Sequence, residues 1–495
     1  MKLLYESDFS VEQTKEGWSF RKNTQYEQLK IDSRNVLKIT YCDAQNAYTA
    51  VSYTIKNLQQ FIGQGLLFTV DIKAENVSVP PQKWNGIKFM FVYSINGTKN
   101  YPQDSPANHG TFDWTKAQFY VSIPKEVSET GSITFGLQAS SGTVYFSNLR
   151  IEYGQIFPSI ELPPNFKCEY TPLVSSKPQM RGVMSPSKYI QNDLTDLRKW
   201  NANIIRWQMN GGNNVQNFLQ WLDEKIIELD SALKENEENH LNINFVVDLH
   251  SGPGGRNSRN EYEMYFNEEH AQTFFKAWEK LANHFKGKNG IWAYDLINEP
   301  VQVRITEENR DYLSMQFEAA KRIRQIDPIT PIIIESNQWD NSSTFNYLHP
   351  LPLTDIIYEV HMYYPHSFTH QNVGGGKWSN EKIRSYPGNI DGKNYDRNAL
   401  EEYLKPTIEF QNKYGARIFL GEFSAIRWGE GADIYIEDVI SIAEKYHWDW
   451  TYHAYREWNG WSVEHVEDHE KVEKANYITK RKIVLLKYFQ RNSCE

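Results

Sequence analysis

The sequence predicts an α/β chain in two parts: a TIM (β/α)8 barrel over residues 179–495, preceded by an all-β jelly-roll sandwich over 1–155 and a linker over 156–178. Three observations predict it. Up to residue 155, short alternating apolar runs recur between turn signals, and helical periodicity is scarce. After the proline-rich stretch FPSIELPPNFKCEYTPLVSSK (157–177), strand-like and helix-like patterns alternate until eight strands have passed. Two of those strands, IWAYDLINEP (291–300) and ARIFLGEFS (416–424), end abruptly on a glutamate, Glu299 and Glu422.

In the first part the runs are LLFTVDIKA (66–74), GIKFMFVYSI (86–95), AQFYVSIP (117–124), SITFGLQA (132–139) and TVYFSNLRIEYG (143–154). Asn96-Gly97, Ser141-Gly142 and Pro80-Pro81 punctuate them as turns. Aromatic residues make up 14% of the chain, with 15 Trp and 30 Tyr, enough to supply both a packed core and flat surfaces for sugar rings. Trp18, Tyr48, Trp84, Tyr101 and Trp114 are the candidates for such a platform here, set against the plainer role of core or edge packing.

The second part opens with a strand at QMRGVM (179–184) and an amphipathic helix at 189–202. A strand at 203–209 and a helix at 218–235 follow, then a strand at 242–250 and a helix at 271–286. IWAYDLINEP is fourth. Its nearly continuous apolar run suits a parallel strand buried on both faces, and Pro300 stops the ladder with Glu299 at its C-terminal edge. A helix at 312–326 leads to strands at 331–337 and 355–364. A polar loop carrying Gly374-Gly375-Gly376 leads to a helix at 398–415, in which Pro406 is expected to cause a kink or a break. ARIFLGEFS is seventh, with Gly421 permitting a close approach before Glu422. A helix at 436–447, a strand at 448–458 and a helix at 479–491 complete the count.

Polar residues mark the C-terminal ends of most of these strands, and that edge of a parallel barrel is where chemistry collects. They are Arg206 on the second; Asp248 and His250 on the third; Asn298 and Glu299 on the fourth; Glu335 and Asn337 on the fifth; His361 and Tyr363 on the sixth; Glu422 on the seventh; and Trp458 after the eighth.

Composition removes several other classes. The net charge of −9 is mild and no Lys/Arg cluster is dense enough for a nucleic-acid footprint. No apolar span of 18 residues exists, so no membrane segment is expected. Cys42, Cys168 and Cys494 are odd in number and widely separated, which implies neither disulfides nor a zinc site. The opening MKLLYESDFS is not a signal peptide. A secreted protein whose leader is absent from this chain is expected, with a cytoplasmic protein as the alternative. A monomer is expected.

LINEP on strand four, HMYYP on strand six and FLGEFS on strand seven, supported by RWQM and DLHSGPGG, resemble glycoside hydrolase family 5 over about residues 180–495. The first part resembles, by pattern, the β-sandwich carbohydrate-binding modules appended to glycosidases. The family resemblance implies a retaining glycosidase with Glu299 as acid/base and Glu422 as nucleophile. It also implies that Arg206 and Tyr363 hydrogen-bond the nucleophile and that Asn298 holds the sugar's 2-hydroxyl. His250 and His361 would line the cleavage subsite, and Trp458 would stack beneath the sugar, with Trp461 able to take its place. No cofactor and no metal are implied.

These roles agree with elementary chemistry. A guanidinium keeps a nearby nucleophile ionised, while a general acid needs its pKa raised towards ~6–7. The resulting expectation is an endo-β-1,4-glucanase acting on a β-glucan or related polysaccharide. Ser251 follows His250 where many cellulases of the family carry a second histidine, and DLHSGPGG is similar to the family's β-1,3-glucanases. A β-1,3-glucanase or a β-mannanase therefore stays open. Two readings from other classes remain: a metal-dependent hydrolase using Asp248, His250, His361 and Glu422, which has no HxH pair to support it, and a carbohydrate-binding protein with a dead barrel, which the presence of both glutamates argues against.

Overall fold

The computed structural model describes residues 2–21, 25–154, 162–186, 188–213, 215–304, 306, 310–373 and 384–492. The start of the expected linker (156–161), Gly374-Gly375-Gly376 and Cys494 lie outside the described residues. The chain divides into two compact units: Met1–Ser159 with Val303–Ile305, and Ile160–Gln302 with Thr306–Glu495. Among the described residues, no helix is long and apolar enough to cross a membrane.

The first unit is a sandwich of two antiparallel sheets. One runs in the order Tyr26–Ile31, Arg34–Tyr41, Gly142–Gly154, Gly65–Val77, Gly110–Ser122, with Lys2–Ser7 also paired to Gly142–Gly154. The other runs Trp18–Phe20, Thr49–Ile55, Gly131–Gln138, Gly86–Ile95, Thr98–Asn100. Alternation along each strand sends one face inwards, where aromatic rings from the two sheets meet. Phe68 lies 4.8 Å from Phe91, and Phe135 lies 5.2 Å from Phe146, centroid to centroid. Asn96 and Gly97 both take positive φ, the backbone that a two-residue hairpin requires. Of the platform candidates, Trp18 packs against this core, whereas Trp84 and Tyr101 are exposed.

The second unit is a closed parallel barrel of eight strands: β1 (Arg181–Met184), β2 (Ile204–Gln208), β3 (Asn244–Asp248), β4 (Ile291–Asp295), β5 (Ile332–Glu335), β6 (Ile356–Met362), β7 (Arg417–Phe423) and β8 (Asp449–Tyr452). The expected helices follow their strands, and several start on a side-chain cap: Asn267, Asp311, Asp396 and Thr479 each accept a backbone N–H. Two expectations need correction. The helix Arg397–Tyr414 runs through Pro406 unbroken, held by buried Leu400, Leu404, Ile408 and Phe410 on either side of it. The eighth strand stops at Tyr452, six residues before Trp458. The fifth connection, where no helix was expected, holds the short turns Asn337–Asp340 and Ser342–Asn346.

The proline-rich segment is tied to the barrel's base. Tyr170 donates its hydroxyl to the Ile356 carbonyl, and Thr171 donates from both backbone and hydroxyl to Asp355.

The barrel interior is layered. Ile204, Val246, Ala293, Ile333, Ile357 and Phe419 form an apolar floor together with Met180 and Trp292. Two residues further along the same strands, and so on the same face, stand Arg206, Asp248, Asp295, Glu335, Glu359 and Gly421. A Cβ on Gly421 would lie 1.5 Å from Glu359 Oε1, so the glycine makes the room that the Glu359 side chain occupies.

Candidate active site

Arg206 stands at the centre of the second layer and is fully buried. Its guanidinium reaches Glu422 Oε1 (2.8 Å), Glu335 Oε1 (2.8 Å), Asp295 Oδ2 (2.7 Å), Asp248 Oδ2 (3.3 Å) and Glu359 Oε1 (3.2 Å). Five carboxyls around one cation cannot all be ionised away from water. Burial and mutual repulsion push Asp295 up to about 7 and Glu359 up to about 8, and raise Glu335 well above the carboxylate range. Among the described residues Asp295 Oδ1 and Glu359 Oε2 have no hydrogen-bond partner.

Glu422 is the exception. Burial alone would raise it, but His361, His453, Arg206 and His250 together hold it far below the carboxylate range. It stays ionised, accepting from Arg206 Nη1 at Oε1 and from the Tyr363 hydroxyl at Oε2 (2.9 Å).

Glu299 follows the end of β4. The chain turns there because Glu299 takes φ 49°, a left-handed backbone rare for a side chain of this size and costing about 1–3 kcal/mol. Four hydrogen bonds hold the turn. The Glu299 N–H donates to Glu335 Oε2 (2.6 Å), the Tyr262 hydroxyl donates to the Asn298 carbonyl (2.7 Å), and Arg256 Nη2 donates to the carbonyls of Asn298 (3.0 Å) and Glu299 (2.9 Å). The turned carboxyl is 24% exposed, in contrast to Glu422 at 5%.

His361 stands between the two glutamates. Its Nδ1 is 3.1 Å from Glu299 Oε1 and 3.8 Å from Glu422 Oε2, while Nε2 faces Glu359 Oε1 at 3.0 Å. Burial opposes a charge on this ring, but Glu422 and the other carboxyls around it outweigh that, and it titrates well above the ordinary histidine range. One oxygen of Glu299, one ring nitrogen of His361 and one oxygen of Glu422 all lie within 4.8 Å of one another. That group has the composition of a metal site, yet Arg206 already supplies Glu422 with a cation.

Of the other residues expected here, Asn298 accepts from Arg206 Nη2 (3.1 Å) and His250 Nδ1 is held by Asp248 Oδ2 (2.8 Å). The sheet ends at Tyr452, and Trp458 beyond it is 36% exposed and packs against Trp461 (5.4 Å) and Trp428 (6.4 Å). Trp461 is buried, 6.0 Å from the Tyr363 ring. The residue directly after β8 is His453, whose Nδ1 is 3.4 Å from Glu422 Oε2 and in hydrogen-bond contact with the Tyr363 hydroxyl. In the fifth connection Trp339 is 44% exposed, its N–H bonded to the carbonyl of Pro300 next to Glu299.

The reading of strand ends missed Arg256, Tyr262, His453 and Glu457, which lie in loops with no periodic signal. It also passed over Asp295 and Glu359. Their signal was present: a lone acid inside an apolar strand, in register with the inward-facing positions.

The pattern of the family described as cellulase (glycosyl hydrolase family 5) matches residues 171–461. Among characterised proteins the chain is similar to endoglucanase C of Acetivibrio thermocellus, 28% identical over 264 residues, 45% of this chain and 75% of that protein. It is also similar to cellodextrinase A of Ruminococcus flavefaciens, 24% identical over 271 residues, 52% and 72% of the two chains. Among solved structures, a glycoside hydrolase matches with TM-score 0.52 at 21% identity, covering 63% of this chain and 99% of that one. Thermotoga maritima Cel5A in complex with mannotriose matches with TM-score 0.51 at 20% identity, covering 64% and 100%. At these identities the structural matches show a shared barrel fold.

Proposed function

The chain belongs to the cellulase family, glycosyl hydrolase family 5, and from that premise we propose that this glycoside hydrolase is a retaining endo-β-1,4-glucanase. The observation that carries the retaining mechanism is the approach of Glu299 and Glu422 oxygens to within 4.8 Å. Retaining glycosidases hold their carboxyls about 5–5.5 Å apart, whereas inverting ones need about 6.5–9.5 Å to admit a water between base and sugar.

In the first step a Glu422 oxygen attacks the anomeric carbon. The bond to the leaving sugar breaks, and Glu299 gives its proton to the departing oxygen. In the second, Glu299 takes a proton from water, the water oxygen attacks the same carbon, and Glu422 leaves as a carboxylate. Arg206 and Tyr363 hold Glu422 throughout, Asn298 faces the 2-hydroxyl, and His250 and His361 line the cleavage subsite. Trp458 is proposed to stack beneath the sugar, with Trp461, 6.0 Å from the Tyr363 ring, as the alternative in that role.

The N-terminal sandwich is proposed to bind carbohydrate through exposed Trp84 and Tyr101. Domain limits of 1–155 and 179–495 are part of the same proposal, with the base-bound residues from 162 onwards retained in any isolated barrel. An intact β-glucan is too large to cross a membrane, so the proposed place of action is outside the cell.

A product profile on cellulose-type, β-1,3-linked and mannan substrates tests the linkage; mixed-length oligosaccharides from β-1,4-glucan are expected, and release from β-1,3-glucan or mannan alone would overturn it. Proton NMR of the first product tests the stereochemistry. The β-anomer is expected, and initial α-anomer would refute double displacement.

A further inference from the structure

The Tyr363 hydroxyl has one proton and two claimants. Glu422 Oε2 lies 2.9 Å away, and His453 Nδ1, itself 3.4 Å from that carboxylate oxygen, is in contact with the same hydroxyl. The opposite nitrogen of that imidazole, Nε2, meets Glu457 Oε2 at 2.6 Å, and the two side chains are only 15% and 22% exposed. A phenol donates once. Which neighbour receives its proton depends on whether His453 Nδ1 carries a hydrogen or a lone pair.

We propose that His453, held by Glu457, is a positioning residue that sets the direction of the Tyr363 hydrogen bond. With hydrogens on both ring nitrogens, His453 donates to Glu457 and to the Tyr363 oxygen, leaving the phenol proton for Glu422. With one hydrogen, that hydrogen stays on Nε2 facing the carboxylate, and the bare Nδ1 draws the phenol proton away from Glu422. The order Glu457, His453, Tyr363, Glu422 is thus a chain of donors that points at the nucleophile only while the imidazole is charged.

The surroundings favour the charged form. Burial opposes it, but Glu457, Glu422 and Glu299 together raise His453 above the ordinary histidine value. Besides His453, the groups that lower these two carboxyls are His361, Arg206 and His250 at Glu422 and His250 at Glu457. His370 is pushed down to about 3, so it adds no competing charge. The Trp461 ring lies 6.1 Å from the His453 ring. This inference rests on the double-displacement role of Glu422, and its test is separable from that role.

Proton–nitrogen NMR of the whole enzyme labelled with 15N-histidine reads the protonation of His453 without any substrate, the signal being assigned by its loss in His453→Gln. Hydrogens on both ring nitrogens at pH 7 are expected, and in Glu457→Gln the titration midpoint should fall by about one unit or more. In parallel, Glu457→Gln should lower kcat on β-glucan roughly tenfold at pH 7.5, the scale of one hydrogen bond to a charged group, and approach wild type near pH 5 with KM little changed. Combining it with Tyr363→Phe should remove that pH dependence, because the switched hydroxyl is gone.

A bare Nδ1 at pH 7 in the wild type would overturn the proposal. So would a Glu457→Gln loss that is equal at both pH values, or unchanged by Tyr363→Phe, the result expected of a merely structural pair. If Glu457→Gln does not fold, the wild-type titration and Glu457→Asp decide the question. If the enzyme cleaves no β-glucan, the functional reading fails while the NMR still decides this one.

Discussion

The lower and upper layers of the barrel interior are built on the same strands, two residues apart, and have opposite chemistry. Ile204, Val246, Ala293, Ile333, Ile357 and Phe419 pack as hydrocarbon and aromatic surface, while Arg206, Asp248, Asp295, Glu335 and Glu359 form a fully buried ionic network. A floor of this kind gains about 25 cal/mol for each Å² of apolar surface removed from water. A buried ionic layer gains little net stability, because desolvation offsets much of its attraction. The difference therefore separates what holds the barrel together from what prepares its mouth for chemistry. Gly421 marks the transition on β7, where any side chain would collide with Glu359 and displace the layer that supports Glu422.

Substitutions in the two layers should fail in different ways. The largest effect lies just above the charged layer: Glu422→Ala should cut kcat on every substrate by on the order of 10⁵-fold, with thermal unfolding little changed. Glu299→Ala should lose roughly 10²–10⁴-fold on β-glucan but far less in the first step on nitrophenyl glycosides, which depart without protonation. Equal losses on both substrates would overturn its assignment as the acid. Within the layer, Arg206→Met should destabilise the fold by about 3–5 kcal/mol in urea unfolding, because it leaves buried carboxyls without their cation.

In the floor, Ile333→Ala should cost about 2–5 kcal/mol of stability while kcat stays within a few-fold of wild type at temperatures where the variant is folded. A collapse of kcat in that folded protein would break the division between layers. The smallest effect is a slope. Glu359 titrates near 4.5 in the unfolded chain and at about 8 in the fold, so its contribution is fully present below 4.5 and is lost as pH rises to 8. Glu359→Gln should flatten the decline of Tm across that window, and an unchanged slope would mean that Glu359 is ionised in the fold.

The sequence by itself determined the barrel and most of its mouth. Strand alternation is written in neighbouring residues, so the eight strands and the place of Arg206, Asn298, Glu299, His361, Tyr363 and Glu422 at or just beyond their C-terminal ends were legible without coordinates. The alternation in the sandwich was equally local, although strands such as Tyr26–Ile31 and Thr49–Ile55, with more polar faces, gave no clear run. Only the tertiary structure decided how these residues are held. Arg256 and Tyr262 fix the Glu299 turn from a loop some 40 positions away in sequence, as their hydrogen bonds at separations of 42, 43 and 36 residues record. Strand eight ends at Tyr452, and the residues beyond it bring His453 and Trp461 to Tyr363. Periodicity fixes which face a strand residue occupies, but it says nothing of loops. There a side chain's place depends on contacts with distant parts of the chain, and on which of several buried acids keeps its proton when all of them surround one arginine.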